Sequence, residues 1–223
     1  VALIGLGLIA SSMAHAIRAG GLVGEIAGHA KSAETRGVAL EIGLCDHVYA
    51  TAAEAVQGAD LVVLAVPVGA MAAIAAEIGP HLAPGATVTD VGSVKQAVIE
   101  AVTPHIPEGV QFIPGHPMAG TEYSGPRSGF ASLFQNRWWL LTPAPEVDPV
   151  ALTRLEDLLK AMGAKTNRME PAHHDQVLAV VSHTPHLIAY TMVGVADHLA
   201  QVSNSEVIEY SASGFRDFTR IAA

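Results

Sequence analysis

A glycine-rich turn between a predicted strand and a predicted helix constrains the fold of this chain more than any other feature. Residues 1–4 are an apolar run typical of a strand buried on both faces, and residues 9–19 have the amphipathic pattern of a helix. Between them, Gly5 and Gly7 belong to the sequence Gly-Leu-Gly-Leu-Ile-Ala, in which Ala10 takes the place of the usual third glycine. A turn of this composition between a strand and a helix is typical of a dinucleotide-binding site.

Each residue of this turn has a physical role in the predicted site. Gly5 permits the tight turn, and Gly7 lets the backbone approach a pyrophosphate. The helix start at Leu8 and Ile9 offers unpaired N–H groups and the positive end of the helix dipole. Ser11, together with the serine that follows it, is predicted to add a hydroxyl donor.

Strand and helix patterns alternate along the first two thirds of the chain. Apolar runs predict strands at 1–4, 25–28, 61–66, 86–90, 111–114, 138–141 and 164–167. Amphipathic patterns predict helices at 9–19, 32–42, 69–78, 93–102 and 150–162, and Thr51 with Glu54 forms a capping box before another short helix. This alternation predicts an α/β fold with a Rossmann-type, doubly wound and mostly parallel sheet.

A proline-rich stretch at 142–149 divides the chain into two predicted domains. Residues 1–146 are assigned to a dinucleotide-binding domain and residues 147–223 to a helical substrate and dimerisation domain. Strand patterns disappear after Pro171, and residues 173–201 have helical periodicity with a kink expected at Pro185. The helical domain is expected to be truncated at Ala223.

Composition excludes several classes of protein. The net charge of −9 argues against a general nucleic-acid binder. Half of the residues are hydrophobic and only 15% are charged, which fits a compact protein with an oligomer interface. No signal peptide and no 18-residue apolar span is recognised, so we expect a soluble protein that does not bind membranes. Cys45 is the only cysteine, which excludes an internal disulfide, fits a cytoplasmic location and suggests a buried thiol.

The segment after the second predicted strand bears on the choice of cofactor. A dinucleotide site usually has an acidic residue there, bound to the adenosine ribose, but residues 28–32 contain none. Lys31, Ser32 and Arg36 could instead face a 2′-phosphate, which favours NADP over NAD. The other residues assigned to the cofactor site are His29, Ala30, Val66 and Pro67.

Two polar, glycine-containing segments follow successive predicted strands. Residues 90–95 contain Ser93, and residues 115–125, interpreted as a loop, contain His116. Because ligands bind at the carboxyl edge of such sheets, these segments are predicted to form the walls of one pocket.

Histidines and arginines of the C-terminal third form two further candidate sites. His183 and His186 have an i, i+3 spacing that can bind metal, but no cysteine or carboxylate pair accompanies them, so no metal site is predicted. The neighbouring residues 173–174, both histidines, are predicted to face solvent. Arg216 and Arg220 suit an acidic substrate, because guanidinium pairs with carboxylate through two hydrogen bonds.

Four sequence runs together resemble the prephenate, arogenate and cyclohexadienyl dehydrogenases of tyrosine biosynthesis. They are Gly-Leu-Gly-Leu-Ile-Ala-Ser-Ser, Asp-Val-Gly-Ser-Val-Lys, Gly-His-Pro-Met-Ala-Gly-Thr-Glu, and Ser-His-Thr-Pro-His with Gly-Phe-Arg-Asp-Phe-Thr-Arg-Ile-Ala. The resemblance implies oxidative decarboxylation of prephenate or arogenate, to 4-hydroxyphenylpyruvate or tyrosine, with NAD(P) as hydride acceptor. It also implies a homodimer formed through the helical domain.

The resemblance assigns roles to residues of these runs. It implies that His116 is the catalytic histidine that accepts the proton of the substrate hydroxyl, and that Ser93 bonds the same hydroxyl. It implies that Arg220 grips the substrate carboxylate and that Asp217 orients this arginine. The remaining residues assigned to the substrate site are His186, Thr121, Glu122 and Gly214.

Two other functions are compatible with the same residues. One is a hydroxyacid or imine reductase of similar two-domain organisation, which would use a different catalytic group. The other is a non-catalytic NAD(P)H sensor, which would need the glycine turn but not the polar segments at 90–95 and 115–122. Within the resembling family, prephenate and arogenate both remain open as substrates.

Overall fold

The computed structural model describes residues 1–203 and 209–222. Their contacts form two units, one from Val1 to His174 and one from Asp175 to Ala223. Each unit is described by itself below.

The first unit contains a six-stranded parallel sheet with the strand order β3-β2-β1-β4-β5-β6. Its strands are β1 (Ala2–Ile4), β2 (Ala27–His29), β3 (His47–Tyr49), β4 (Leu61–Leu64), β5 (Thr87–Asp90) and β6 (Gln111–Ile113). The intervening helices are α1 (Leu8–Gly20), α2 (Ala33–Glu41), α3 (Ala52–Ala55), α4 (Met71–Ile78) and α5 (Gln96–Val102). The predicted doubly wound α/β fold is confirmed, including the capping box of Thr51 and Glu54 at the start of α3.

A second, three-stranded sheet follows in the order β7-β8-β9. Its strands are β7 (Gly115–Pro117), β8 (Trp138–Leu141) and β9 (Lys165–Arg168), with α6 (Pro149–Ala161) between the last two. The strands predicted at 138–141 and 164–167 therefore belong to this second sheet and not to the main sheet. The loop predicted at Gly115 is also wrong at its start, since β7 pairs antiparallel with β8 and His116 lies opposite Leu140.

The order of the main sheet determines where a ligand can bind. The sheet extends on both sides of β1. Strands β2 and β3 lie on one side of it, and strands β4, β5 and β6 lie on the other. The crevice between the carboxyl ends of β1 and β4 is the point at which ligands bind in such sheets. The glycine turn begins there, directly after β1.

The boundary between the two units lies later in the sequence than the proline-rich stretch suggested. The predicted boundary after residue 146 assigns α6 and β9 to the C-terminal domain, but both belong to the first unit. β9 pairs with β8, and Leu152, Leu155 and Leu159 of α6 are buried in the same core cluster as α1. This burial holds α6 in the first unit.

The described residues of the second unit are helical except at 210–212. A helical run comprises α7 (Pro171–Leu178), which begins in the first unit, a π-helical turn at Ala179–His183 and α8 (Thr184–Ser203). The kink expected at Pro185 stays a prediction: Pro185 is the second residue of α8, and the π-turn ends before it, at His183. The short helix α9 (Ser213–Thr219) is followed by a 3-10 turn at Arg220–Ala222. The sequence also predicts a helical continuation at 205–210, of which residues 205–208 lie outside the described residues.

One expectation from composition is wrong. The helical run Pro171–His198 is long and apolar enough to cross a membrane, with a mean hydropathy of 1.2, whereas no such segment was expected. Only 11% of the apolar 18-residue stretch within this run is buried within this chain. Length and composition alone are weak evidence for insertion, because a helix buried against another subunit passes the same test.

Cys45 is buried in the first core cluster, as its composition suggested. Burial raises the pKa of its thiol to about 11, which keeps the group protonated at neutral pH. The residue therefore acts as a small apolar side chain beside Gly28 of β2, where an added Cβ would lie 2.5 Å from its sulfur.

Candidate active site

The glycine turn after β1 has the shape that a dinucleotide requires. Gly5 has a φ of +96°, and a Cβ on it would lie 2.4 Å from the carbonyl oxygen of Ala65 and 3.0 Å from Val66. Gly7 is different, because a Cβ there would meet no atom within 4 Å. Gly7 also precedes α1 without a side chain that caps the helix. Space beside Gly7 and the uncapped helix start at Leu8 fit a pyrophosphate bound at a helix N-terminus.

The structure buries Ser11, which was predicted to add a hydroxyl donor, and its hydroxyl has no hydrogen-bond partner among the described residues. Its side chain is fully buried, and a Cβ on Gly129 would lie 2.5 Å from that of Ser11. Ser12 is also buried, and its hydroxyl accepts a hydrogen bond from the backbone of Phe130 at 3.2 Å. These serines pack α1 against the segment at 129–130.

The segment after β2 was assigned to the cofactor site, and two cations, Lys31 and Arg36, lie in or next to it. Arg36 donates from Nη1 to the carbonyl oxygens of Ala30 at 2.6 Å and Lys31 at 3.1 Å, which holds its guanidinium across the loop. Ser32 caps α2 by accepting a hydrogen bond from Thr35, and His29 is buried with its Nδ1 3.1 Å from the carbonyl oxygen of Tyr49. Lys31 and Ser32 are exposed. Val66 and Pro67 follow β4 on the other side of the crevice.

A fully buried ion pair joins the two sheets of the first unit. Nζ of Lys95 lies 2.5 Å from Oδ2 of Asp90 and 2.6 Å from the carbonyl oxygen of Gly115. The Asp90 carboxylate also accepts hydrogen bonds from the backbone N–H of Gly92 at 2.7 Å and of Gly115 at 3.1 Å. Burial raises the pKa of Asp90, and Lys95 and the two N–H donors oppose that shift.

This ion pair positions both residues that were assigned to catalysis. Ser93 follows Gly92, and His116 follows Gly115, so each lies one residue from an amide bound to the same carboxylate. Ser93 is exposed and His116 is 8% exposed. The two polar segments predicted to form one pocket are therefore joined at their bases by Asp90.

A second buried histidine, His174, contacts His116. Nε2 of His174 lies 3.0 Å from Nδ1 of His116, and the two rings meet edge to face. The prediction that both histidines at 173–174 face solvent is correct for His173 and wrong for His174, which is fully buried. Successive helical residues point about 100° apart, so one can be buried beside an exposed neighbour. Leu178 four residues later is also buried, and this apolar partner was the signal in the sequence.

The other residues assigned to the substrate site are exposed. Thr121 and Glu122 lie in the loop after β7, where Thr121 accepts a hydrogen bond from the backbone of Tyr123. In the second unit, His186 donates from Nδ1 to the carbonyl oxygen of Ser182 at 2.8 Å, which leaves Nε2 as the acceptor nitrogen. The remaining exposed residues of this set are Gly214, Asp217 and Arg220.

Two arginines of the second unit were expected to suit an acidic substrate, and one of them, Arg220, was expected to be oriented by Asp217. Arg216 donates to the hydroxyl of Ser211 at 3.3 Å. Among the residues that the structure describes, no ion pair joins Asp217 to Arg220. Within the same described residues, no group of three or more His, Cys, Asp or Glu side chains could hold a metal ion.

Comparison with known proteins identifies the family to which these features belong. A family model described as "Prephenate dehydrogenase, nucleotide-binding domain" matches residues 13–168, and one described as "Prephenate dehydrogenase, dimerization domain" matches residues 170–223. The chain belongs to the prephenate dehydrogenase family.

Individual relatives agree over the whole chain. It is 41% identical over 223 residues to the cyclohexadienyl dehydrogenase of Zymomonas mobilis, spanning all of this chain and 76% of that protein. It is 36% identical over 224 residues to the prephenate dehydrogenase of Bacillus subtilis, of which it spans 60%. Prephenate dehydrogenase from A. aeolicus, crystallised with hydroxyphenyl propionate and NAD+, superposes with a TM-score of 0.89 at 31% identity, covering 99% of this chain and 77% of that one.

These relatives confirm the enzyme class predicted from the sequence motifs. The chain carries the nucleotide-binding and dimerization domains of a dehydrogenase that acts on prephenate or related cyclohexadienols. The nucleotide-binding domain supports use of NAD(P), and the geometry at Gly5 and Gly7 fits such a cofactor.

We predict that alanine at the two glycines of the turn affects different properties, stability at Gly5 and dinucleotide binding at Gly7. Gly5→Ala should lower the free energy of unfolding by about 2 kcal/mol or more, because the methyl group collides with Ala65 at a positive φ. Gly7→Ala should leave the melting temperature unchanged and weaken dinucleotide binding about 10-fold, because its methyl group occupies the space left for the pyrophosphate. Thermal unfolding and fluorescence titration measure both effects. Wild-type dinucleotide affinity in Gly7→Ala would contradict the assignment.

We predict that Lys95→Met destabilises the protein by about 3–5 kcal/mol, because it leaves the Asp90 carboxylate buried without its cation. Chemical denaturation measures the change, and Lys165→Met, which alters an exposed lysine of β9, is the matched control. The double variant with Asp90→Asn should lose less stability than the two single losses added together. Equal stability of the Lys95 and Lys165 variants would refute this role of the ion pair.

Proposed function

We propose that this protein catalyses the oxidative decarboxylation of prephenate, arogenate or both, with His116 as the base. The observation that carries the proposal is the placement of His116, buried at the start of β7 and anchored through Gly115 to the Asp90–Lys95 pair. Family membership supplies the reaction, and this geometry supplies a fixed imidazole at the carboxyl edge of the sheet.

The chemistry requires proton removal and charge handling from the protein. His116 accepts the proton of the ring hydroxyl through Nε2, the nitrogen that does not face His174. As that proton leaves, the hydrogen on the same ring carbon departs with its electron pair, and a carbonyl forms. The bond to the ring carboxylate then breaks, carbon dioxide leaves, and its electrons complete the aromatic ring. The phenolic oxygen recovers the proton from His116.

The residues around the glycine turn would hold the nicotinamide dinucleotide, whose chemistry is to accept the hydride. Gly7 and the start of α1 fit the pyrophosphate, as their open space and uncapped N–H groups indicate. Ser93 is proposed to bond the substrate hydroxyl from the loop after β5. On the basis of the family resemblance, Arg220 is proposed to bind the substrate carboxylate and Asp217 to orient this arginine. The further contacts proposed are His186, Thr121, Glu122 and Gly214.

We predict that His116→Asn lowers kcat with prephenate or arogenate by about 10²–10⁴-fold, the usual loss when a general base is removed. Binding of the dinucleotide should remain at wild-type affinity, because the glycine turn is unaltered. Cofactor reduction measured by absorbance tests the variant, and the exposed His81→Asn is the matched control. Undiminished turnover in His116→Asn would refute the proposed function.

NADP is proposed as the preferred cofactor, with NAD as the alternative. Support comes from the absence of a carboxylate at 28–32 and from the cations of Lys31 and Arg36 around the loop after β2. A guanidinium held against Ala30 and the exposed ammonium of Lys31 suit a 2′-phosphate, which a ribose hydroxyl would not require.

We predict that Lys31→Ala weakens NADP binding about 3–10-fold and leaves NAD binding unchanged, since an exposed cation contributes modestly to phosphate binding. Isothermal titration with both cofactors measures the two affinities, and Lys165→Ala controls for loss of an exposed positive charge. A clear preference for NAD in the wild type that persists in Lys31→Ala would rule out recognition of the 2′-phosphate.

A homodimer formed through the helical unit is proposed as the working form. The family model for this segment is described as a dimerization domain. The helical run also exposes large apolar side chains in the isolated chain, namely those of Val180, Val181, Leu187, Ile188, Tyr190 and Val195. Such a surface favours burial against another subunit. A cytoplasmic location is proposed from the single cysteine.

A further inference from the structure

The contact between His116 and His174 restricts where their protons can lie. A neutral imidazole has one N–H donor and one bare acceptor nitrogen. Nδ1 of His116 and Nε2 of His174 lie 3.0 Å apart, so one of them donates and the other accepts. The proton on His116 therefore depends on the direction of this hydrogen bond.

The two possible directions have different chemical consequences. If Nδ1 of His116 donates, its Nε2 carries the lone pair and can act as a base. If Nε2 of His174 donates, the proton of neutral His116 lies on Nε2 and this nitrogen cannot accept another. Only the first direction is compatible with proton removal by His116.

Both rings are held by rigid backbone, which keeps the contact in place. β7 pairs with β8 at His116, and Gly115 is bound to Asp90 and Lys95. His174 is fixed near the start of α7, where its N–H donates to the carbonyl oxygen of Glu170 at 2.9 Å. The Glu170 carboxylate caps this helix by accepting hydrogen bonds from two further backbone N–H groups, at 3.0 and 2.8 Å.

We propose that His174 is a positioning residue whose Nε2 accepts a hydrogen bond from Nδ1–H of His116 and thereby holds Nε2 of His116 as the base. The proposal rests on the proposed function, because it explains how His116 is prepared for its role. When His116 gains the substrate proton, the hydrogen bond to His174 becomes charge-assisted and strengthens. His174 therefore stabilises the charged form of His116 more than the neutral form, which favours the transition state.

The first test measures the tautomer of His116 directly. The full-length protein is labelled with 15N-histidine, and the ring nitrogens of His116 are assigned by comparison with His116→Asn. The chemical shifts at about pH 8 distinguish a protonated from a bare ring nitrogen. We expect the proton on Nδ1 and the lone pair on Nε2 in the wild type. A proton on Nε2 of His116 would overturn the proposal without any variant of His174.

Two variants of His174 separate acceptance of the hydrogen bond from packing. His174→Gln keeps an acceptor near the position of Nε2, so kcat should fall by less than about 10-fold. His174→Leu removes the acceptor, so kcat should fall about 10²-fold, and both tautomers of His116 should appear in the spectrum. The KM for the cofactor should stay unchanged in both. His173→Gln and His173→Leu, which alter the exposed neighbouring histidine, should match the wild type.

The outcomes distinguish this proposal from the proposed function. A folded His174→Gln protein as inactive as His174→Leu would overturn the acceptor role, as would a His174→Leu protein with wild-type kcat and tautomer. Failure of the proposed function has a different signature, which is wild-type turnover in His116→Asn. Melting temperatures of the four variants at His173 and His174, and of His116→Asn, establish that the compared proteins are folded.

Discussion

The buried ion pair between Asp90 and Lys95 is the interaction on which the site depends. Transfer of two charges from water into the interior costs several kcal/mol per ion, which is recovered only when the remaining hydrogen-bonding groups are also satisfied. Here Lys95 reaches the carbonyl oxygen of Gly115, and Asp90 accepts from two backbone amides. The pair therefore joins the end of β5, the loop that carries Ser93 and the strand that carries His116.

The glycines around this ion pair explain how closely the two sheets approach. A Cβ on Gly115 would lie 2.8 Å from Nε1 of Trp139 and 3.0 Å from the carbonyl oxygen of Asp90. A Cβ on Gly92 would lie 2.9 Å from the Asp90 carboxylate. The absence of side chains at these positions lets the carboxylate bind both amides directly. Local composition thus serves a contact between distant parts of the chain.

The sheet order places the glycine turn and the Asp90 segment at the ends of different strands of one sheet edge. β1 carries the glycine turn, β4 lies next to it, and β5 carries Asp90. Neighbouring strands are about 4.8 Å apart, so the two functional segments begin roughly 10 Å apart at the same carboxyl edge.

Regular elements were predicted well from the sequence because their signals are local. The capping box at Thr51 and Glu54, the apolar run of β4 and the glycine turn after β1 are each contained in a few consecutive residues. The strands β3 and β7 were missed because each has only three residues, which is too short for a diagnostic periodicity. β3 contains a histidine and a tyrosine, and β7 contains a glycine and a proline. The domain boundary was placed too early, because the burial of α6 against the first core is not visible in a proline-rich stretch.

The sequence by itself determined the fold class and the dinucleotide turn, since these depend on local patterns. Its motifs also carried the resemblance that implied the enzyme family and the role of His116 as the base. Only the tertiary structure decided that Ser11 packs against Gly129, that Asp90 and Lys95 join two sheets, and that His174 contacts His116. His116 and His174 are 58 residues apart in the chain. No local pattern connects such positions, because their contact depends on how a strand of one sheet packs against the start of a later helix.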